Sequence, residues 1–289
     1  LGIQTAALGG GGYTPGSGYL TNTAEYNGTT WTAKNNGLAG LGLAILTLHS
    51  EISLILAGTA HGVYKSTNDG DSWTAANTGL SGLPISKIIA HGDDHYALEL
   101  LGGVKKSTDD GVSWTGASGT TGNEISGIPV TLAEDGVNLY TGNFFGDIVS
   151  KSSDGGDTWT AADNGITNTS GFNTATYIYA LGGSIYTSTA EGFFKSASLG
   201  DSWSAAGTGL PGAVAGHALL SLEALFFSVE GSGLYMSDDL GDNFTAYNTG
   251  LNNLSTGPLV VKASTLFVGT NGSGVWGDGV TFTPSSAPD

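Results

Sequence analysis

The 289 residues carry 8 lysines, no arginine, 25 aspartates and glutamates and no cysteine, for a formal net charge of −17. Such a surface repels phosphate backbones and anionic lipid, which excludes nucleic-acid and membrane-surface partners, while cationic partners and bound calcium stay compatible. No apolar run reaches the roughly 20 residues that span a bilayer, and no disulfide framework can form.

Abundant Gly, Thr, Ser and Asn with few lysines suits a secreted or cell-surface protein. The chain begins at Leu1 without a methionine, which reads as the start of a processed or excerpted chain. Its first period holds the cluster Gly9-Gly10-Gly11-Gly12-Tyr13 and then Asn27-Gly28 before Trp31. Strands are expected over residues 4–8, 20–26 and 30–33, with the innermost strand missing and the C-terminal stretch or flanking sequence completing the sheet.

The later periods share one order of short apolar runs bounded by turn residues, as antiparallel strands do. The runs fall at 52–56 and 63–66, at 85–90, 96–100 and 104–107, at 175–179 and 185–188, and at 225–229 and 234–237. No window has a helical period, so almost no helix is expected.

Each third run leads into a polar turn that closes on an aromatic. The complete phrase, Ser-x-Asp-x-Gly-x-Ser/Thr-Trp, stands at Ser107–Trp114 and Ser152–Trp159, with Asp109 and Asp154 as its acids. The copy ending in Phe244 keeps the acid as Asp239, whereas Asn68 and Ser198 replace it before Trp73 and Trp203. All three residue types supply an oxygen acceptor for backbone N–H groups of the turn, and the glycine supplies a backbone angle that other residues resist. A fainter closure runs from Asp278-Gly279 to Phe282.

The aromatics Trp31, Trp73, Trp114, Trp159, Trp203, Phe244 and Phe282 recur every 38 to 45 residues, the period of a four-stranded propeller blade. Seven periods predict an all-β, seven-bladed propeller formed as a single domain over residues 1–289, with the aromatics packed between neighbouring sheets.

The iterated phrase resembles the Asp-box, or bacterial neuraminidase repeat, over blades two to six, and the first period is more similar to a kelch-type blade. Asp-box propellers include sialidases, xyloglucan-degrading glycosidases, sortilin-type receptors and photosystem assembly factors. The resemblance implies that the box is structural and lies on the face away from the usual binding mouth, so function has to be argued from the other loops.

Sialidases clamp the substrate carboxylate with an arginine triad, and a chain without arginine cannot build it. The pairing of Tyr186 with Glu191 therefore carries no weight. A glycosidase of another type needs two facing carboxylates roughly 5 to 9.5 Å apart. Asp147, Glu191 and Glu230 sit in equivalent second-to-third-strand loops, although solvated loop acids in an acidic chain explain them as well. The His91-Gly92-Asp93-Asp94-His95 turn contains metal-ligating side chains but matches no established spacing, and it reads as an exposed hairpin.

The mouth loops are uneven, which is where specificity is normally placed on a regular scaffold. Asn143, Phe144 and Phe145 precede Asp147, Phe172 lies in a long entry loop, and His61, Glu191, Glu230 and Asn271 hold equivalent positions elsewhere. Together they would form a shallow, acidic, partly aromatic pocket suited to a sugar or to a basic peptide. The alternative is that Phe144 and Phe145 pack against the next blade. Three functions remain: a non-enzymatic propeller that binds a glycan or protein partner as a module of a larger surface protein, a glycan-active enzyme using the mouth carboxylates, and a structural subunit.

Overall fold

The computed structural model describes residues 13–14, 18–19, 24–26, 31–38, 44–120, 123–167, 175–211, 216–221, 224–229, 231–262 and 265–277. Every regular element among them is a β-strand. The chain falls into two compact units, one of residues 1–139 with 152–160 and one of residues 140–151 with 161–289.

The sheets are antiparallel and take their strands in chain order. Blade 1 consists of Ile45–Glu51, Leu54–Thr59, Gly62–Ser66 and Thr74–Ala75. Blade 2 consists of Ile85–His91, Asp94–Glu99, Gly103–Ser107 and Thr115–Gly116. Blade 3 consists of Ile128–Glu134, Leu139–Phe144, Val149–Ser152 and Thr160–Ala161. Blade 4 consists of Ala175–Leu181, Ser184–Thr189, Gly192–Ser196 and Ser204–Ala206. Blade 5 consists of Gly216–Ser221, Ala224–Val229, Gly233–Ser237 and Thr245–Ala246. Blade 6 has, among the described residues, three strands, Thr256–Lys262, Thr265–Thr270 and Gly274–Gly277.

The expectation of seven blades is thus corrected to six. Among the described residues the first period contributes two short pairs, Tyr13–Thr14 with Gly18–Tyr19 and Ala24–Tyr26 with Trp31–Ala33. The reason is that an aromatic marks the start of a fourth strand and does not by itself specify the strands inside it, which in the complete blades are built around a second strand buried along its length, such as Leu54–Thr59 or Ala224–Val229. The expected strand at 4–8, most of the kelch-like segment and the closure at Asp278-Gly279 and Phe282 lie outside the described residues.

The second strand of each complete blade is buried along nearly its whole length rather than alternating, and in blades 2, 3 and 4 the burial takes in polar side chains such as His95, Thr141 and Thr187. The fourth strands are exposed, as outer edges are. Between these extremes the polar turn sets the entry to the fourth strand. Ser107 Oγ donates to Asp109 Oδ1 at 2.8 Å and accepts from Gly111 N–H at 2.8 Å. Asp109 in turn accepts from Ser113 N–H at 2.8 Å and from Ser113 Oγ at 2.5 Å. The same set recurs around Asp154 and Asp239. At the variant turns Asn68 Oδ1 accepts from Ser72 N–H, and Ser198 Oγ accepts from Ser202 N–H, both at 3.0 Å.

The turn delivers its tryptophan into a repeated latch. Trp114 Nε1 donates to Ala76 O at 3.0 Å, and the Trp114 backbone N–H donates to Thr78 O at 2.9 Å. The ring is buried among Leu54, Leu56, Val63 and Ala76 of blade 1 and Ile85, Ile88 and Ala97 of blade 2, and burying such a side chain contributes about 1.5–3 kcal/mol. Equivalent Nε1 bonds run from Trp73 to Lys34 O, Trp159 to Ala117 O and Trp203 to Ala162 O. Gly79 lies so close to the Trp114 carbonyl that a Cβ there would sit 1.9 Å from its oxygen, and Gly37, Gly165 and Gly209 repeat this approach.

Candidate functional site

An antiparallel blade has two ends. One carries the first-to-second-strand turns and the polar box turns; the other carries the second-to-third-strand loops, where the sequence places the mouth.

Three of these loops share one device. Thr59 Oγ1 donates to Gly62 O at 2.9 Å while His61 N–H donates to Thr59 Oγ1 at 3.1 Å. Thr189 does the same for Gly192 and Glu191, and Thr270 Oγ1 donates to Gly274 O at 2.8 Å. His61, Glu191 and Asn271 are therefore tip residues of threonine-anchored turns. His61 and Asn271 are exposed and Glu191 is half-buried.

Blade 3 departs from the device. Asn143 stands where threonine would, fully buried, and its Nδ2 donates to Asp147 O and Ser150 Oγ, both at 2.9 Å. Its Oδ1 is buried without a hydrogen-bond partner. The loop it anchors presents Phe144 and Phe145, 37% and 51% exposed, with ring centroids 4.2 Å apart. Phe145 has φ 62°, the left-handed region that bulky residues avoid. The Asp147 carboxyl is held above its ordinary value by burial and by the neighbouring charge of Asp163. Asp163 Oδ2 accepts the Ile148 N–H at 2.8 Å, the role that Asn77 plays for Val63 and Asn248 for Leu234.

Blade 2 departs in the same place with residues that sequence reasoning missed. Glu99 replaces the threonine and is fully buried, its Oε1 accepting from Ser81 N–H at 2.7 Å with Lys105 Nζ 3.5 Å from Oε2. Beyond it Leu100 and Leu101 are 41% and 72% exposed, and Leu101 has φ 61°. Leu100-Leu101 is in the register of Phe144-Phe145, which is the signal that would have found it. Glu230 and Phe172 lie outside the described residues.

At the opposite end of the blades, the His91–His95 hairpin is not exposed as a whole. His91 ends one strand, Asp94 begins the next, and His95 is buried to 2% exposure within it. His95 Nε2 lies 3.0 Å from Glu51 Oε1, and His49 Nε2 lies 3.4 Å from the same oxygen. Burial raises the Glu51 carboxyl, but its hydrogen bond to His49 and the charges of both histidines outweigh this and leave it lowered.

In the second unit an apolar cavity of about 500 Å³ is lined by Leu234, Tyr247, Leu251, Leu266, Val268 and Trp276. It occupies the seam between blades 5 and 6, at the place Trp114 holds between blades 1 and 2. Phe282, the aromatic that the repeat assigns to this seam, lies outside the described residues.

Solved structures of similar fold are propellers or contain them. YCF48 bound to a D1 peptide superimposes with a TM-score of 0.61 at 12% identity, over 86% of this chain and 83% of that one. The extracellular domain of a putative hybrid two-component system from B. thetaiotaomicron gives 0.67 at 16% identity, over 88% of this chain and 37% of that one. A GH74 enzyme from Niastella koreensis gives 0.60 at 17% identity, over 92% of this chain and 40% of that one. The chain thus spans about two fifths of the last two, and at these identities the likeness is one of fold. No curated protein matches the chain in sequence. The DUF6242 β-propeller domain matches residues 30–175, just over half of the sequence and the region of the two complete boxes, so the chain belongs to the DUF6242 β-propeller domain family.

Proposed function

We propose that the chain is a secreted or cell-surface interaction propeller, non-enzymatic, that holds a protein partner on its second-to-third-strand loops as one module of a larger surface assembly. The observation that carries this reading is the exposed apolar pair at the same loop position in two blades, Leu100 with Leu101 and Phe144 with Phe145. Exposed large apolar residues held in left-handed backbone are costly to keep, and such strain collects at binding sites. Leucine pairs do not stack on sugars, so they favour a polypeptide over a glycan, and a net charge of −17 favours a basic one. The peptide-bound YCF48 and the extracellular two-component domain support this use of the fold. The polar turns belong to this reading as Asp-boxes, structural hairpins at the other end of each blade.

A second reading rests on Asp147, whose raised carboxyl beside Phe144 and Phe145 suits a glycan-active site with Glu191 or Glu230 as partner. Against it, Asp163 is occupied in holding the Ile148 backbone, which accounts for the neighbouring charge without chemistry.

Probing arrays of basic-apolar peptides and of glycans with the purified chain separates the readings. Selective peptide binding, weakened at least tenfold by Phe144→Ser with Phe145→Ser, is the expected result. A glycan that is hydrolysed by the wild type and spared by Asp147→Asn would replace this reading with the enzymatic one.

A further inference from the structure

We propose that His49, Glu51 and His95 form a binding site for a divalent transition ion of the zinc class, at the end of the blades opposite the partner-binding loops. The inference is independent of the proposed function.

The two strands involved are rigid, and they aim the donors by simple geometry. His49 and Glu51 are two residues apart on the first strand of blade 1, so their side chains leave the same face. His95 comes from the buried second strand of blade 2. The three donor atoms lie within 4.8 Å of one another. Nε2 of His49 and of His95 are 3.4 and 3.0 Å from Glu51 Oε1. Ligands at about 2.0–2.2 Å from a tetrahedral zinc stand about 3.3 Å apart, so the two histidine-to-Glu51 spacings already match those of a coordination shell.

A second observation sets this cluster apart from a surface ion pair. The His95 side chain is 3% exposed, yet its only hydrogen-bond partner is Glu51, and its other nitrogen, Nδ1, is buried without one. The buried imidazole thus makes its one polar contact into the cluster. Hydrogen bonding alone satisfies the site poorly: two imidazole nitrogens converge on one carboxylate oxygen, and a His95 that carries its proton on Nε2 leaves Nδ1 as a buried bare acceptor. If the proton is on Nδ1, the Nε2 lone pair faces a carboxylate, and a cation between them removes that repulsion.

The donor set selects the ion. Two imidazoles and one carboxylate suit zinc, cobalt, nickel or copper, whereas calcium requires six to eight oxygens. Glu51 is 44% and His49 20% exposed at the side chain, which gives an ion a path from solvent and leaves a position for water. The nearby pair of His91 and Glu134, 3.3 Å apart, offers two donors and supplies an internal control.

The test is calorimetric titration of the tag-free, chelator-treated chain with Zn2+, paired with thermal melting and with electron paramagnetic resonance of the Cu2+ form. One ion per chain, a raised melting temperature and coupling of copper to two nitrogens are expected. His49→Ala and Glu51→Gln, both at partly exposed positions, should keep the fold by circular dichroism. Each should weaken binding by more than the roughly 10- to 100-fold that losing an outer-shell partner costs. His61→Ala and His91→Ala should bind as the wild type does. Failure to take up Zn2+, Co2+, Ni2+ or Cu2+, or uptake that survives His49→Ala combined with Glu51→Gln, would overturn the proposal.

Discussion

Two glycines three residues apart in one loop offer a direct test of the blade latch. Gly79 and Gly82 both have left-handed backbone, at φ +86° and +78°. A Cβ on Gly82 would meet nothing within 4 Å, whereas one on Gly79 would lie 1.9 Å from the Trp114 carbonyl oxygen and 3.0 Å from its carbon. Gly82→Ala therefore costs only the left-handed penalty of about 1–2 kcal/mol. Gly79→Ala costs that and must also push the loop off the Trp114 backbone, where Thr78 O accepts the Trp114 N–H at 2.9 Å. Losing that bond to a buried donor adds about 1–3 kcal/mol. With a urea slope of about 2 kcal/mol per molar, the two midpoints should differ by about 0.5–1.5 M. Equilibrium urea denaturation followed by tryptophan fluorescence measures both. Equal midpoints would refute the idea that the loop's close approach to the tryptophan backbone holds the sheets together.

Trp114→Phe keeps an aromatic in the seam but deletes the Nε1 donor to Ala76 O, and should cost about 1–3 kcal/mol in the same denaturation assay. Phe145→Gly removes a bulky residue from φ 62° and should leave stability unchanged or raise it by about 1 kcal/mol, while peptide binding falls at least tenfold in titration. The box carboxylates predict an acid transition. Hydrogen bonds from the Ser113 side chain hold Asp109 down to about 2 from 3.8, those from the Asn243 backbone do the same for Asp239, and Thr158 lowers Asp154. Because the folded values are depressed, their stabilisation is complete above the ordinary 3.8 and is lost as pH falls toward about 2. Because these carboxylates are exposed and screened by solvent, thermal melts between pH 5 and pH 2 should show a modest fall of the melting temperature below pH 3.8, and Asp109→Asn should reduce it.

Much of this was legible in the residues. The period, the burial of the tryptophans and the equivalence of Asn68 and Ser198 with the box acids all follow from local chemistry, and local chemistry is what a sequence displays. The blade count did not follow, because Trp31 advertises a fourth strand, and among the described residues only Ala24–Tyr26 pairs with it. The candidate site was half legible: Phe144-Phe145 was visible as aromatics, while Leu100-Leu101 looked like the continuation of an apolar strand until Glu99 proved to end it. Least visible was the His49, Glu51 and His95 cluster. Adjacency in sequence tied His95 to His91, yet strand geometry turns it toward Glu51, some 44 positions earlier. Contacts of that kind depend on how one sheet is laid on the next.

The latch also has a direction. Trp73, Trp114, Trp159 and Trp203 each reach back to a carbonyl that the preceding repeat presents just after its own fourth strand, 38 to 42 residues earlier. A cassette cut anywhere within one period therefore carries both halves of the coupling, a plug for the repeat before it and a socket for the repeat after. Duplicating or deleting one such cassette leaves every remaining joint of the same type. Repeat number in a chain built this way can drift by whole units during gene duplication without any new interface having to be invented.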